Sequence, residues 1–209
     1  VLYDRITTNE TFFFREVQQL EVLVQQVVPK IKEERKLQTV LKIWSAACST
    51  GEEPYTIAMM LMENFKTSTV KFDILASDIS DVVIEKAQSA TYGQYALRNI
   101  PEQYMKKYFK QSTATNHTLN NDVKAKVKFV QVNLIDDKKV RGFREMDIIL
   151  CRNVLIYFDK KAKLKAVTNL YESLRAGGYL FIGMAESLHD ITRLFRPQII
   201  GKTVVYQKA

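Results

Sequence analysis

Ser45-Ala46-Ala47-Cys48-Ser49-Thr50-Gly51-Glu52-Glu53-Pro54 closes an apolar run that begins at Val40, and it opens a helix that runs to about Phe65. A buried strand, a short polar loop and a helix with proline in its first turn make one βα unit of a parallel sheet. In such sheets the loops at the carboxyl ends of strands line the ligand crevice, because helices start there with free N–H groups and a positive dipole end. Phosphate-binding loops of this architecture need several glycines so that the backbone can wrap the phosphates. Here Gly51 stands alone and two carboxylates follow it. The loop therefore suits a ligand that carries positive charge, hydroxyls or an ammonium group; the plainer reading is that Glu52 and Glu53 complement their own helix dipole.

The same alternation continues outward. Residues 72–77 read as a second strand that ends at Asp78, with Ser80 as the N-cap of a helix whose apolar face holds Val83, Ile84 and Ala87. Residues 127–132 alternate strictly, 146–151 form another buried strand, and a helix follows from about Lys160 to Leu174, stopped by Gly177-Gly178 before a strand at 179–182. Residues 204–206 add a closing strand. Ahead of all these, Val17, Leu20, Val24, Val27, Val28 and Ile31 recur at three- and four-residue steps and predict a helix from Phe14 to about Lys36. The order implies an α/β fold with a mostly parallel sheet and helices on both faces. It divides into a leading segment and helix at 1–36 and a main domain at 37–209. Residues 92–126 break the rhythm and read as a small insertion. In it 106–110 and 123–127 either pair as strands around a polar loop or form a surface loop with a short helix.

Composition narrows the class. With 46% hydrophobic and 26% charged residues the chain is an ordinary globular protein. No apolar run approaches the roughly 18 residues that cross a bilayer, so no direct membrane insertion and a cytoplasmic location are expected. Cys48 and Cys151 end apolar runs, where buried thiols fit better than a disulfide. His117 and His189 are isolated, so no metal is expected. The net charge of +8 favours acidic partners, but Lys160-Lys161-Ala162-Lys163-Leu164-Lys165 reads as a solvated helix face, and no basic cluster carries the stacking aromatics of a nucleic-acid site.

Polar residues gather at the predicted strand ends. Asp78 stands where an acidic side chain grips ribose hydroxyls in doubly wound folds. Asn133 either hydrogen-bonds a base edge or only terminates its strand. Arg152 and Asn153 put several fixed donors at the crevice mouth. A nucleoside without phosphates fits these features, and S-adenosylmethionine, with its sulfonium and ammonium groups, fits best.

The stretches T-T-N-E-T-F-F-F-R-E, A-C-S-T-G-E-E-P-Y-T, A-S-D-I, V-N-L, C-R-N-V-L-I-Y-F-D and G-G-Y-L-F-I-G-M-A-E-S resemble the CheR-type chemoreceptor glutamate O-methyltransferases over nearly the whole chain. The resemblance implies a Rossmann-like S-adenosylmethionine-dependent methyltransferase fold with a small inserted β-subdomain. It implies methyl transfer to glutamate side chains on the cytoplasmic signalling helices of chemoreceptors, with S-adenosylhomocysteine as the second product, by a monomer. Carried over by motif, Asn9, Thr11 and Arg15 fold over the cofactor, and Glu52 and Asp78 hold its polar and ribose groups. Asn133 and Leu134 flank the adenine, Arg152 and Asn153 complete the pocket, and Arg15 and Tyr157 stand nearest the transferred methyl as catalytic residues. Phe12, Phe13 and Phe14 are expected to pack the leading segment onto the domain. Family members usually open with a separate basic helical domain, which is expected to be absent here because only residues 1–6 precede the Thr-Thr-Asn motif. In some members the inserted subdomain binds a receptor's C-terminal peptide; here that is open. Two other readings use the same residues: a methyltransferase acting on a nucleic acid or small molecule, and a non-catalytic module that binds the cofactor and signals by contact.

Overall fold

A computed structural model describes residues 10–35, 40–65 and 70–209. Asn9 and the predicted helix end at Lys36 lie outside them. The first helix among the described residues is α1 (Val17–Val22), followed by a π-helical turn (Leu23–Val27) and α2 (Val28–Arg35). The widened turn has a local cause. Pro29 carries no N–H to return to the preceding turn, and the N–H of Val28 bonds Leu23 O instead, five residues back. The predicted helix is thus one apolar stripe with Leu20, Val24, Val27, Val28 and Ile31 all buried, but it starts at Val17 because Phe14 and Glu16 take left-handed φ.

Among the described residues the main sheet has seven strands. In chain order they are β1 (Leu41–Ala46), β2 (Phe72–Asp78), β6 (Val127–Gln131), β7 (Met146–Cys151), β8 (Leu174–Ile182), β9 (Phe195–Ile200) and β10 (Thr203–Lys208), and in space β6-β2-β1-β7-β8-β10-β9. Strands β6, β2, β1, β7 and β8 run parallel, while β10 is antiparallel to both its neighbours. The last strand is therefore not a closing edge. It is wedged between β8 and β9, and β9 is a strand that its interrupted pattern, with Arg196, Pro197 and Gln198, hides from a reading by alternation.

Alternation along the central strands sends side chains to two cores. Ile43, Ile148, Leu150, Tyr179 and Phe181 pack on one face with the leading helix and α3 (Glu52–Asn64). Trp44, Ile149, Cys151, Leu180 and Ile182 pack on the other with the helix Lys160–Ser173. That helix ends at Ser173, before the expected Gly177-Gly178 stop, because Leu174 turns to extended φ and ψ and joins β8 at once. Gly177, at φ 76°, and Gly178 instead lie within that strand, where the register against β7 shifts.

The insertion carries a small antiparallel sheet, although its strands are not those expected. Residues 106–108 belong to a helix (Glu102–Tyr108) and 121–124 to a short second one (Asn121–Lys124). The antiparallel sheet is β3 (Thr91–Gly93), β5 (Asn116–Leu119) and β4 (Phe109–Gln111), with β5 in the middle. Phe13 plugs it, fully buried and edge-on to Tyr92 and Phe109 at 4.8 and 5.3 Å.

Candidate active site

Strand β1 is the switch point of the sheet: the chain crosses from it to β2 on one side, and β7 lies on the other. Ligand crevices form at such points. Residues 47–49 after β1, 78–80 at the end of β2, 132–135 after β6 and 152–154 after β7 enclose a cavity of about 740 Å³ with the leading segment and residues 157–159. That volume suits a small-molecule ligand. Four carboxylates, Glu10, Glu53, Asp78 and Asp159, line it against two guanidinium groups, Arg15 and Arg152.

The first loop turns sharply. Ala47 and Ser49 hold φ of 58° and 48°, and Asp78 fixes the turn by accepting the Ser49 and Ser80 N–H groups at 2.8 and 3.2 Å. Only glycine fits next: a Cβ on Gly51, at φ 92°, would stand 2.9 Å from the Ala87 Cβ. The Ser49 hydroxyl is buried with no hydrogen-bond partner among the described residues, although Ser49 lines the cavity. An orphaned hydroxyl in a largely acidic cavity fits a polar, cationic nucleoside such as S-adenosylmethionine. Cys48 also lines the cavity, and burial together with the Asp78 and Glu53 carboxylates pushes its thiol far up. It stays a neutral, poor nucleophile.

The two carboxylates of the loop part company. Glu52 is buried away from the cavity lining, both oxygens accepting from Thr50 Oγ1 at 2.8 Å and a further bond coming from Thr11. Burial pushes its carboxyl above the ordinary glutamate range, with those bonds opposing. Glu53 lines the cavity, accepting from Ser45 Oγ at 2.7 Å and from Arg152 Nη1 at 2.9 Å.

Arg152 is a hub. Its Nε donates to Gln19 Oε1 at 2.7 Å, Nη1 to Glu53, and Nη2 to Arg15 O at 2.8 Å and Glu16 Oε2 at 3.1 Å. Asn153 takes φ 57° and is held by Glu186, which accepts the N–H groups of Asn153, Gly183 and Ile156 at 2.9, 2.7 and 3.2 Å. Gly183 has no room for a side chain, since a Cβ would meet Asn153 Nδ2 at 2.7 Å. Non-glycine residues in left-handed backbone cost about 1–3 kcal/mol each and persist where surrounding bonds over-determine them, as here around one cavity.

The structure brings Thr11, Arg15, Asp78, Asn133, Leu134, Arg152, Asn153 and Tyr157 to this cavity, and leaves Glu52 behind it. Asn133 also closes a turn onto the Ile135 N–H at 3.2 Å. Tyr157, on a 3-10 turn (Leu155–Tyr157), is 46% exposed and stands at the rim. Phe12 departs from the expected packing role. It faces the cavity, and the Arg98 guanidinium lies 3.6 Å from its ring and 3.8 Å from that of Tyr95. The residues missed by sequence reasoning are Glu16, Gln19, Glu186 and Arg98. The first three sit in or beside the motifs quoted above as polar residues on apolar faces, whereas nothing in the sequence marks Arg98.

The sheet order, with the cavity at the carboxyl ends of its strands, is that of the Rossmann-like fold of S-adenosylmethionine-dependent methyltransferases. The chain belongs to the CheR methyltransferase family: residues 9–203 match the family described as CheR methyltransferase, SAM binding domain. It is 39% identical over 204 residues to chemotaxis protein methyltransferase 2 of Vibrio cholerae, covering 97% of this chain and 70% of that one. It is 38% identical over 191 residues to a chemotaxis protein methyltransferase of Borreliella burgdorferi, covering 90% and 67%. Among solved structures, a TehB-like SAM-dependent methyltransferase from Corynebacterium glutamicum shares the fold, with a TM-score of 0.51 at 14% identity over 93% of this chain and 96% of that one. No helix among the described residues is long and apolar enough to cross a membrane.

Proposed function

We propose that this chain methylates glutamate side chains on the cytoplasmic signalling helices of chemoreceptors, forming glutamyl methyl esters in chemotactic adaptation. The observation that carries the reading is that Arg15 and Tyr157 line the same cavity as the carboxylates Glu10, Glu53, Asp78 and Asp159. When bound, S-adenosylmethionine supplies a methyl group on a cationic sulfur. In this reading Asp78 takes the ribose hydroxyls, Glu53 the ammonium group, Asn133 and Leu134 the adenine, and Ser49 Oγ gains the partner it lacks. Arg152 and Asn153 hold the wall, and the leading segment, with Thr11, covers it.

A glutamate acceptor, with an ordinary pKa near 4.3, is already ionised at neutral pH, so the site needs no general base. Its work is orientation, which is worth roughly 7–11 kcal/mol when reactants are held in line. Arg15 is the cation that meets the acceptor carboxylate, and the Tyr157 hydroxyl donates to the same group.

The test is transfer of labelled methyl from S-adenosylmethionine to receptor cytoplasmic fragments, followed by alkali, which cleaves esters and spares N-methyl and C-methyl groups. Base-labile label on the receptor is the expected result. Label on nucleic acid instead, or cofactor binding with no transfer to any receptor, overturns it.

A further inference from the structure

Directly after Arg15, Glu16 turns the chain at φ 49° and caps α1. Its carboxylate grips two strand ends at once. Oε2 accepts from Arg152 Nη2 at 3.1 Å and from the Met184 N–H at 3.2 Å, and Oε1 accepts from Asn153 Nδ2 at 3.1 Å. The backbone of the preceding residues is pinned as well: Phe14 N–H donates to Thr56 Oγ1 at 3.2 Å, and Arg15 O accepts from Arg152 Nη2 at 2.8 Å. Arg15 therefore enters the cavity from a root fixed on both sides, while Glu16 itself does not line it.

Burial raises the Glu16 carboxyl, but the Asn153 amide, the Arg152 charge and the Met184 N–H outweigh it and hold the group below the ordinary glutamate range. A left-handed residue next to the reacting cation, tied by three donors, is strain held in place by a purpose-built acceptor.

We infer that Glu16 is a positioning residue for methyl transfer: by latching onto Arg152, Asn153 and Met184 it sets where the Arg15 guanidinium stands, and it acts on the reaction only through Arg15. The inference rests on the reading of Arg15 as the cation that meets the acceptor carboxylate. It does not predict a contact between Glu16 and either substrate. Glutamine at this position keeps the size but must turn an amide N–H toward one of the three donors, whereas aspartate keeps the charge on a shorter arm.

The experiment measures kcat, both KM values, cofactor Kd and melting temperature for Glu16→Gln, Glu16→Asp, Arg15→Ala, Arg15→Lys and the Arg15→Lys/Glu16→Gln double variant. Glu16→Gln is expected to lower kcat about 10- to 100-fold, the cost of misplacing a reacting group by about an ångström. Cofactor Kd and melting temperature should change little, Glu16→Asp should recover part of the rate, and the double variant should be no slower than the slower single one. The inference is overturned by wild-type kcat in Glu16→Gln, by loss of cofactor affinity and melting temperature in step with kcat, or by losses that multiply in the double variant. Wild-type kcat in Arg15→Ala would instead remove the premise, the reading of Arg15 itself.

Discussion

The Arg152 guanidinium and the Glu53 carboxylate meet at 2.9 Å with 2% and 17% of their side chains exposed, which joins the end of β7 to the first turn of α3 beneath the cavity. Because Glu16 and Gln19 bind the same guanidinium, Arg152 also ties the leading segment to the sheet. Removing it strands two largely buried carboxylates. Arg152→Ala should cost about 3–5 kcal/mol in denaturant unfolding, the range for breaking a buried pair from one side. Arg152→Lys should recover only part, since a single ammonium cannot replace a fork that reaches four acceptors.

Arg15→Ala and Tyr157→Phe separate orientation from binding. Arg15 should account for most of the rate, with turnover falling by about 10²-fold or more on the scale of misplaced reactants. Tyr157→Phe should fold and bind cofactor as the parent does, because the 46% exposed ring leaves little packing to lose, and should slow transfer alone. Single-turnover transfer alongside cofactor titration checks both. Unchanged turnover in both variants removes them from the chemistry.

Much of this arrangement is legible in the sequence, for a physical reason. Buried parallel strands are apolar runs, so the polar residues that end them, such as Asp78 and Arg152, stand out, and helix starts at Pro54 and Ser80 fix which end of each strand they occupy. Side-chain direction within a helix turn is less legible. Adjacent Glu52 and Glu53 differ by about 100° around α3, and only the packed structure shows which one faces the cavity. The strands of the insertion escape a reading by alternation because strands of three or four residues carry almost no periodicity, and β9 does so because an edge strand with an interior proline reads as loop. Arg98 was illegible since two of its partners, Phe12 and Glu10, lie far away in sequence.

Arg98 fastens the insertion to Phe12 and Glu10, two residues of the leading segment that line the cavity. Its guanidinium lies against the Phe12 and Tyr95 rings and 3.7 Å from Glu10 Oε1, and Tyr95 donates to the same oxygen at 3.0 Å. The Phe13 N–H adds a bond to Ala96 O at 3.0 Å. The leading segment is thus fastened to the subdomain rather than to the main sheet alone. Two partly exposed cation–π contacts are worth about 1–2 kcal/mol together. Arg98→Ala should therefore weaken S-adenosylmethionine binding roughly 5- to 30-fold by titration calorimetry, at about 1.4 kcal/mol per tenfold, with little change in melting temperature.

Glu52 gives a pH signature. Its folded carboxyl titrates above the unfolded one because burial disfavours the charge. Such a group favours folding while protonated, and that contribution is lost as pH rises from the unfolded value, about 4.3, through the raised folded value. Glu52→Gln, which stays neutral and still accepts from Thr50, should thus improve in stability relative to the parent between pH 4 and pH 7 in urea unfolding. A difference that does not change over that range would mean that the carboxylate bears no burial cost.

The neighbouring pair then decides which carboxylate meets the cofactor. Glu53 lines the cavity and offers a charged acceptor, while Glu52 faces Thr50 and Thr11. Losing a hydrogen bond to a charged group costs about 1.5–3 kcal/mol. Glu53→Gln should accordingly weaken S-adenosylmethionine about 10- to 100-fold at 1.4 kcal/mol per tenfold, and Glu52→Gln should leave the affinity within a few-fold. Arg152 still has Glu16 and Gln19 in Glu53→Gln, so the fold survives and the loss reads on binding. The reverse ranking, with Glu52→Gln the weaker binder, would place the ammonium group on the other side of the helix start and would require Glu52 to turn out of its buried bonds when the cofactor enters.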